Sequence, residues 1–150
     1  MIVNLELVTD VQDIIRRDFT VADKQYVNPT NPECYIDGEF LSLTMDYQLT
    51  RAADDTLGFA VFAERGRFDV QAIGKLTVLF AKPYEADTRV FTSNGLVLGG
   101  ALSISDSVTT SDGITDRSGL IAAGSGIVIG YVTRLPANNG GRLRFLKTLG

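Results

Sequence analysis

Short apolar runs, separated by turn formers at a near-constant interval, leave this chain few folds to choose from. GFAVFA (58–63), RFDVQA (67–72) and KLTVLF (75–80) begin eight or nine residues apart, with Glu64-Arg65-Gly66 and Ile73-Gly74 between them. Runs of this length and spacing predict the strands of an all-β sandwich or barrel. No stretch of about 20 residues carries the 3.6-residue apolar period of an amphipathic helix. The fold class is therefore all-β: a compact β-barrel or sandwich of short antiparallel strands, with an N-terminal arm and at most one short helix.

The C-terminal segment 119–149 holds the clearest strand pair. A strand over 126–133 carries Ile127, Ile129 and Tyr131 on one face and Val128 and Val132 on the other, so it is apolar on both sides and belongs inside the domain. A reversal follows around Pro136 and the Asn138-Asn139-Gly140-Gly141 run, whose residues tolerate positive φ. In the strand over 142–147, Leu143 and Phe145 point one way and Arg142, Arg144 and Lys147 mostly the other. Ile127, Ile129, Leu143 and Phe145 are expected to hold the barrel closed.

Upstream, 35–43 reads as a hairpin about Asp37-Gly38, a pair suited to a type I′ turn. Strands are also predicted over 47–51 and 88–91, and two short ones over 96–104, broken by Gly99-Gly100. The Ser-, Thr-, Asp- and Gly-rich stretch 105–118 predicts a long exposed loop. The chain divides into an arm and linker, 1–33, and a β domain, 34–150. Within the arm, Leu5 and Leu7 alternate, Asp10 caps a two-turn helix over 11–17, and Asn28-Pro29 and Asn31-Pro32 uncouple it from the domain. An alternative reading makes the Leu5–Leu7 segment an edge strand of the main sheet.

Composition removes several kinds of chemistry. Histidine is absent, which excludes nucleophile systems built on an imidazole base and any histidine-containing zinc site. Cys34 is the single cysteine, so no intrachain disulfide forms, which fits a reducing compartment. No apolar run approaches the ~20 residues of a membrane span, and the acidic start lacks the basic region of a secretory signal. The net charge of −4 argues against nucleic-acid binding. That charge is uneven: residues 1–116 carry 18 acidic and 9 basic groups, a net of −9, whereas 117–150 carry Arg117, Arg134, Arg142, Arg144 and Lys147 and no acid, a net of +5. The halves either intermix on the folded surface or form surfaces of opposite sign suited to a ring or an acidic partner.

No motif points to turnover, a cofactor or a metal. The run Gly124-Ser125-Gly126 precedes a β-type segment rather than a helix, so it is a turn and not a phosphate loop. Asp106, Asp112 and Asp116 lack the alternation and terminal Glu of a calcium loop. Asp54-Asp55, Glu85 and Asp87 read as turn and surface carboxylates. Arg142 and Arg144 project from one strand face with Arg134 across the hairpin, a set able to clamp carboxylates on a partner. The alternative is a solvated edge whose charges prevent aggregation.

Three segments together, GKLTVLFAKPYEADTRVF (74–91), LVLGGALSISDS (96–107) and GIVIGYVTRLPANNGGRLRF (126–145), resemble the head decoration, or cement, proteins of tailed bacteriophages. The resemblance spans roughly the C-terminal half. It implies a non-enzymatic virion protein, assembled in the host cytoplasm, that binds the outer surface of the head and clamps neighbouring major capsid protein subunits. It also implies self-association, commonly as a homotrimer, without cofactor, nucleic acid or membrane. Leu5 and Leu7 of the arm and Arg134, Arg142 and Arg144 of the last hairpin are the expected contact residues. A second reading is a β-barrel module of a virion appendage that holds a small ligand or carbohydrate.

Overall fold

The computed structural model describes residues 4–28, 30–62, 74–124, 126–138 and 140–148. In chain order the strands are β1 (Leu5–Leu7), β2 (Ile15–Thr20), β3 (Phe40–Leu43), β4 (Leu49–Arg51), β5 (Phe59–Ala60), β6 (Lys75–Ala81), β7 (Tyr84–Thr88), β8 (Ala101–Val108), β9 (Arg117–Ala122), β10 (Gly130–Arg134) and β11 (Leu143–Lys147). Two 3-10 turns, Val11–Asp13 and Lys24–Val27, are the helical elements among the described residues. The architecture is all-β and mostly antiparallel, a sandwich rather than a closed barrel.

One layer is a six-stranded sheet in the order β1-β7-β11-β10-β8-β9. The other combines a β2-β6 pair with a β4-β3-β5 sheet, joined by single bridges from Val61 to Val78 and from Val21 to Leu49. Alternation along β11 sorts its side chains: Leu143 and Phe145 are fully buried, whereas Leu146 reaches solvent. Phe145 meets Phe40 and Tyr84 edge-on, with ring centroids 6.4 and 6.0 Å apart. This is the geometry the ring quadrupoles favour.

The apolar interior forms two clusters. The larger gathers Leu5, Phe40, Leu79, Leu102, Ile104, Leu120, Ile129, Val132, Leu143 and Phe145 between the layers. The smaller gathers Phe19, Val21, Leu41, Leu49, Leu76 and Val78 within the second layer. β3 feeds both, Phe40 to one and Leu41 to the other, and so is buried on both faces. Burying each such side chain contributes about 1.5–3 kcal/mol.

The edges of the six-stranded sheet are treated differently. β1 is an edge of three residues, short enough to discourage pairing with another chain. At the other edge, Leu120 of β9 donates its N–H to Val90 O and accepts from Thr92 N–H. The segment after β7 thus covers β9. Gly119 permits that approach, since a Cβ there would lie 2.5 Å from Val90 O.

Several expectations are corrected. Of the two readings of the N-terminal segment, the edge strand holds and the separate arm does not: among the described residues, β1 pairs with β7 at the sheet edge (Leu5 opposite Thr88, Leu7 opposite Ala86) and β2 pairs with β6 along its length. The cause is backbone satisfaction. Asp37 accepts the N–H groups of Asn4 and Leu5 at 2.8 and 3.0 Å, holding the strand that buries Leu5. The helix expected over 11–17 is one 3-10 turn followed by β2, because Arg16, Arg17 and Asp18 face solvent while their backbone fills the β6 ladder.

Asp37-Gly38 is a turn, with Gly38 at φ 84°, but β3 pairs with β4 and β5 rather than with the residues before it. The strand expected over 88–91 lies at Tyr84–Thr88, and the two expected over 96–104 are one strand beginning at Ala101. Both ends of the supposed loop 105–118 belong to strands, 105–108 to β8 and 117–118 to β9. Ile127 is exposed, because β10 begins only at Gly130. The strand expected over 67–72 lies outside the described residues.

Candidate functional site

The three arginines singled out from sequence do converge on the outer face of the six-stranded sheet. Register aligns Glu6 on β1, Asp87 on β7, Arg144 on β11 and Arg134 on β10 as one row across four strands. A register shift between Val132 and Arg134 turns Arg134 onto this face. Asp87 Oδ1 accepts from Arg144 Nε at 2.8 Å, and Asp87 Oδ2 accepts from Arg144 Nη2 at 3.1 Å and Arg134 Nη2 at 3.3 Å. Arg142 Nη1 donates to Glu6 Oε2 at 2.6 Å.

The basic C-terminal segment is therefore met by acids from β1 and β7, so the sequence halves intermix. No acid lies near these arginines in sequence, and the carboxylates that meet them are brought in by sheet pairing across 47 to 136 residues of chain. The Arg144 hydrogen bond holds the Asp87 carboxyl below the usual carboxylate range and raises the Arg144 guanidinium in turn. Exposed pairs of this kind contribute about 0.2–1 kcal/mol each, so their main effect is orientation. The Arg134 side chain keeps 56% of its surface exposed and offers donors outward.

Leu5 and Leu7 do not join this surface. Leu5 lies in the core and Leu7 packs against it. The apolar groups beside the charged row are Tyr131 and Leu146, which face each other across β10 and β11 and are 43% and 36% exposed. Val97 and Leu98 add to the margin, where Gly99 N–H donates to Val132 O. Sequence reasoning missed this pair by assigning Tyr131 the same face as Ile129. Its signal was present in the alternation of Tyr131 with Val132 and of Leu146 with Phe145.

Comparison with protein-family models, curated proteins and solved structures finds no match. The chemistry must be read from the side chains themselves.

A second charged group is interior and ties loops together. Glu39 is fully buried and Arg117 is 3% exposed. Arg117 Nη1 donates to Cys34 O at 2.7 Å and Glu39 Oε2 at 3.4 Å, and Nη2 donates to Pro32 O at 2.8 Å. Arg51 donates through Nε to Glu39 Oε1 and stacks 4.9 Å above the Tyr35 ring. Asn31-Pro32 thus sits in a gripped turn, with no uncoupling there. Burial raises both the Cys34 thiol, despite nearby Arg117, and the Tyr35 phenol, the latter to about 12. A cleft of about 430 Å³ opens beside Pro32, Ile114 and Arg117, whose guanidinium is already committed to the fold.

The remaining carboxylates serve backbone groups. Asp54 accepts the Asp106 N–H at 2.8 Å, which lowers its pKa, and Asp55 accepts the Ile127 N–H at 2.6 Å. A Cβ at Gly126 would lie 1.9 Å from Asp55 Oδ1, so the glycine run admits a carboxylate of its own chain. Asp112 accepts from Thr110 Oγ1. No three His, Cys, Asp or Glu side chains gather as a metal site among the described residues.

Proposed function

We propose that this chain is a non-enzymatic virion protein that decorates the outer surface of a tailed-phage head and stabilises contacts between major capsid protein subunits as a homotrimer. The observation that carries the reading is the outer face of the six-stranded sheet, where Tyr131 and Leu146 lie exposed beside the oriented Arg134. An aromatic and an aliphatic side chain flanked by a guanidinium have the composition of a protein-binding hot spot. Rigid strands hold all three, so little entropy is lost on docking. Of the segments that resemble cement proteins, 126–145 contains Tyr131 and Arg134, and Leu146 follows it directly. Many copies on a repeating shell reinforce it by multivalency even when each contact is weak.

The test uses the purified chain and expanded phage heads. Solution mass should correspond to a trimer, and added protein should sediment with heads and raise their resistance to heat. Tyr131→Glu with Leu146→Glu should weaken head binding at least ~10-fold while leaving the far-UV circular dichroism unchanged. A monomer that neither binds heads nor protects them would overturn the reading.

A further inference from the structure

The loop between β8 and β9, the loop between β10 and β11, and the turn after Phe91 meet around a second cleft of about 350 Å³. Its size falls within the ~300–1,000 Å³ of small-molecule sites. Among the described residues the lining contains no charged side chain. Phe91 and Pro136, both half-buried, supply apolar surface, and Phe91 is fixed because it packs on the large core cluster. Thr92, Ser93, Ser107, Thr109, Ser111 and Asn138 supply the polar lining; the Ser107 hydroxyl donates to Asp106 Oδ1 at 3.0 Å, and Thr109, Ser111 and Asn138 are exposed. Elsewhere this chain uses such groups for its own backbone: Thr9, Ser42, Thr56 and Ser118 all bond main-chain atoms.

Neutral hydroxyls both donate and accept, and an amide donates and accepts side by side. With a ring and a proline face they complement a molecule that is apolar on one side and hydroxylated at its rim. We infer that this cleft binds a neutral saccharide, with Phe91 and Pro136 against the C–H face of a pyranose and Thr92, Thr109, Ser111 and Asn138 bonded to its hydroxyls. The uncharged lining disfavours phosphorylated or acidic sugars, whose charge would lose hydration without a cation in return. The inference does not depend on capsid binding, since the cleft belongs to the isolated chain.

The test is a titration of the 15N-labelled full chain with glucose, galactose, mannose, N-acetylglucosamine and their disaccharides, read by amide chemical shifts. The expected result is movement confined to amides of 91–93, 107–111, 137, 138 and 140, with a dissociation constant on the order of 1 mM for the best sugar. Asn138→Ala combined with Thr109→Val, both at exposed positions, should weaken that binding at least ~5-fold and leave other amides in place. Glucuronate should bind more weakly than glucose. The inference is overturned if no sugar shifts these amides at ~50 mM, if the shifts map elsewhere, or if the double variant binds as the parent does.

Discussion

Replacing Arg117 by Met tests whether the interior ion cluster holds the early part of the chain to β9. Arg117 and Glu39 are 3% and 0% exposed, so removing the guanidinium leaves a carboxylate in the interior with Arg51 as its remaining charged partner, beside the N–H groups of Ile36 and Ser118. Breaking a buried pair costs about 3–5 kcal/mol. Arg51 keeps its bond to Glu39, which pulls that term to the low end at about 3 kcal/mol. The carbonyls of Pro32 and Cys34 lose charged donors, adding about 1 kcal/mol after partial rehydration. A total near 4 kcal/mol corresponds to a fall of about 8–16 °C in Tm for a domain of this size.

Urea unfolding followed by far-UV circular dichroism and tyrosine emission measures the change, since the chain has five Tyr and no Trp. Adding Glu39→Gln should recover about 2 kcal/mol, because the orphaned charge is then gone. A single variant within about 1 kcal/mol of the parent, or a double variant whose losses simply add, would refute the reasoning.

Two further outcomes follow from other parts of the molecule. Asp37→Ala should release β1, because Asp37 accepts the N–H groups of Asn4 and Leu5; hydrogen exchange at Leu5 and Arg89 should quicken by at least ~10-fold while amides of β10 and β11 keep their protection. Unchanged exchange would mean that packing of Leu5 alone seats the strand. Stability should also rise between pH 8 and 10. Burial pushes the Lys147 ammonium down to about 8, so in this window the unfolded chain holds a proton that the folded one has released. The gain is on the order of 1–3 kcal/mol, and Lys147→Met should flatten it. Above pH 10 the trend reverses, since burial raises the Tyr35 and Tyr84 phenols and the unfolded chain then loses protons first. The raised Cys34 thiol opposes the rise equally in both proteins, so a Lys147→Met profile that runs parallel to the parent's from pH 8 to 10 would contradict this.

What could be read from the sequence divides by the range of the forces involved. The all-β class follows from period-2 alternation and turn chemistry, both local, and β6 and β11 fall within a residue of their predicted limits. Pairing is not local. Nothing near Leu5 indicates that Asp37 will accept its N–H, and nothing near Arg144 indicates that Asp87 will neutralise it. The charge asymmetry of the two halves was a true property of the sequence that strand pairing cancels in space. Polar residues misled in one further way: Ser105, Asp106 and Ser107 suggested a loop, yet they lie in β8, whose Leu102, Ile104 and Val108 face the core. The cleft near Phe91 was beyond sequence reach because three segments far apart in the chain build it.

The contact between Gly126 and Asp55 has an evolutionary consequence. Any side chain at position 126 would occupy the space of the Asp55 carboxylate, and Asp55 itself adopts φ 56°, a conformation that few residues other than Asn, Asp and Gly enter readily. Position 126 cannot therefore drift first. Along a lineage of this fold, a residue larger than glycine at 126 should arrive only after the carboxylate at 55 has been lost, so the order in which the two substitutions accumulate is set by their contact.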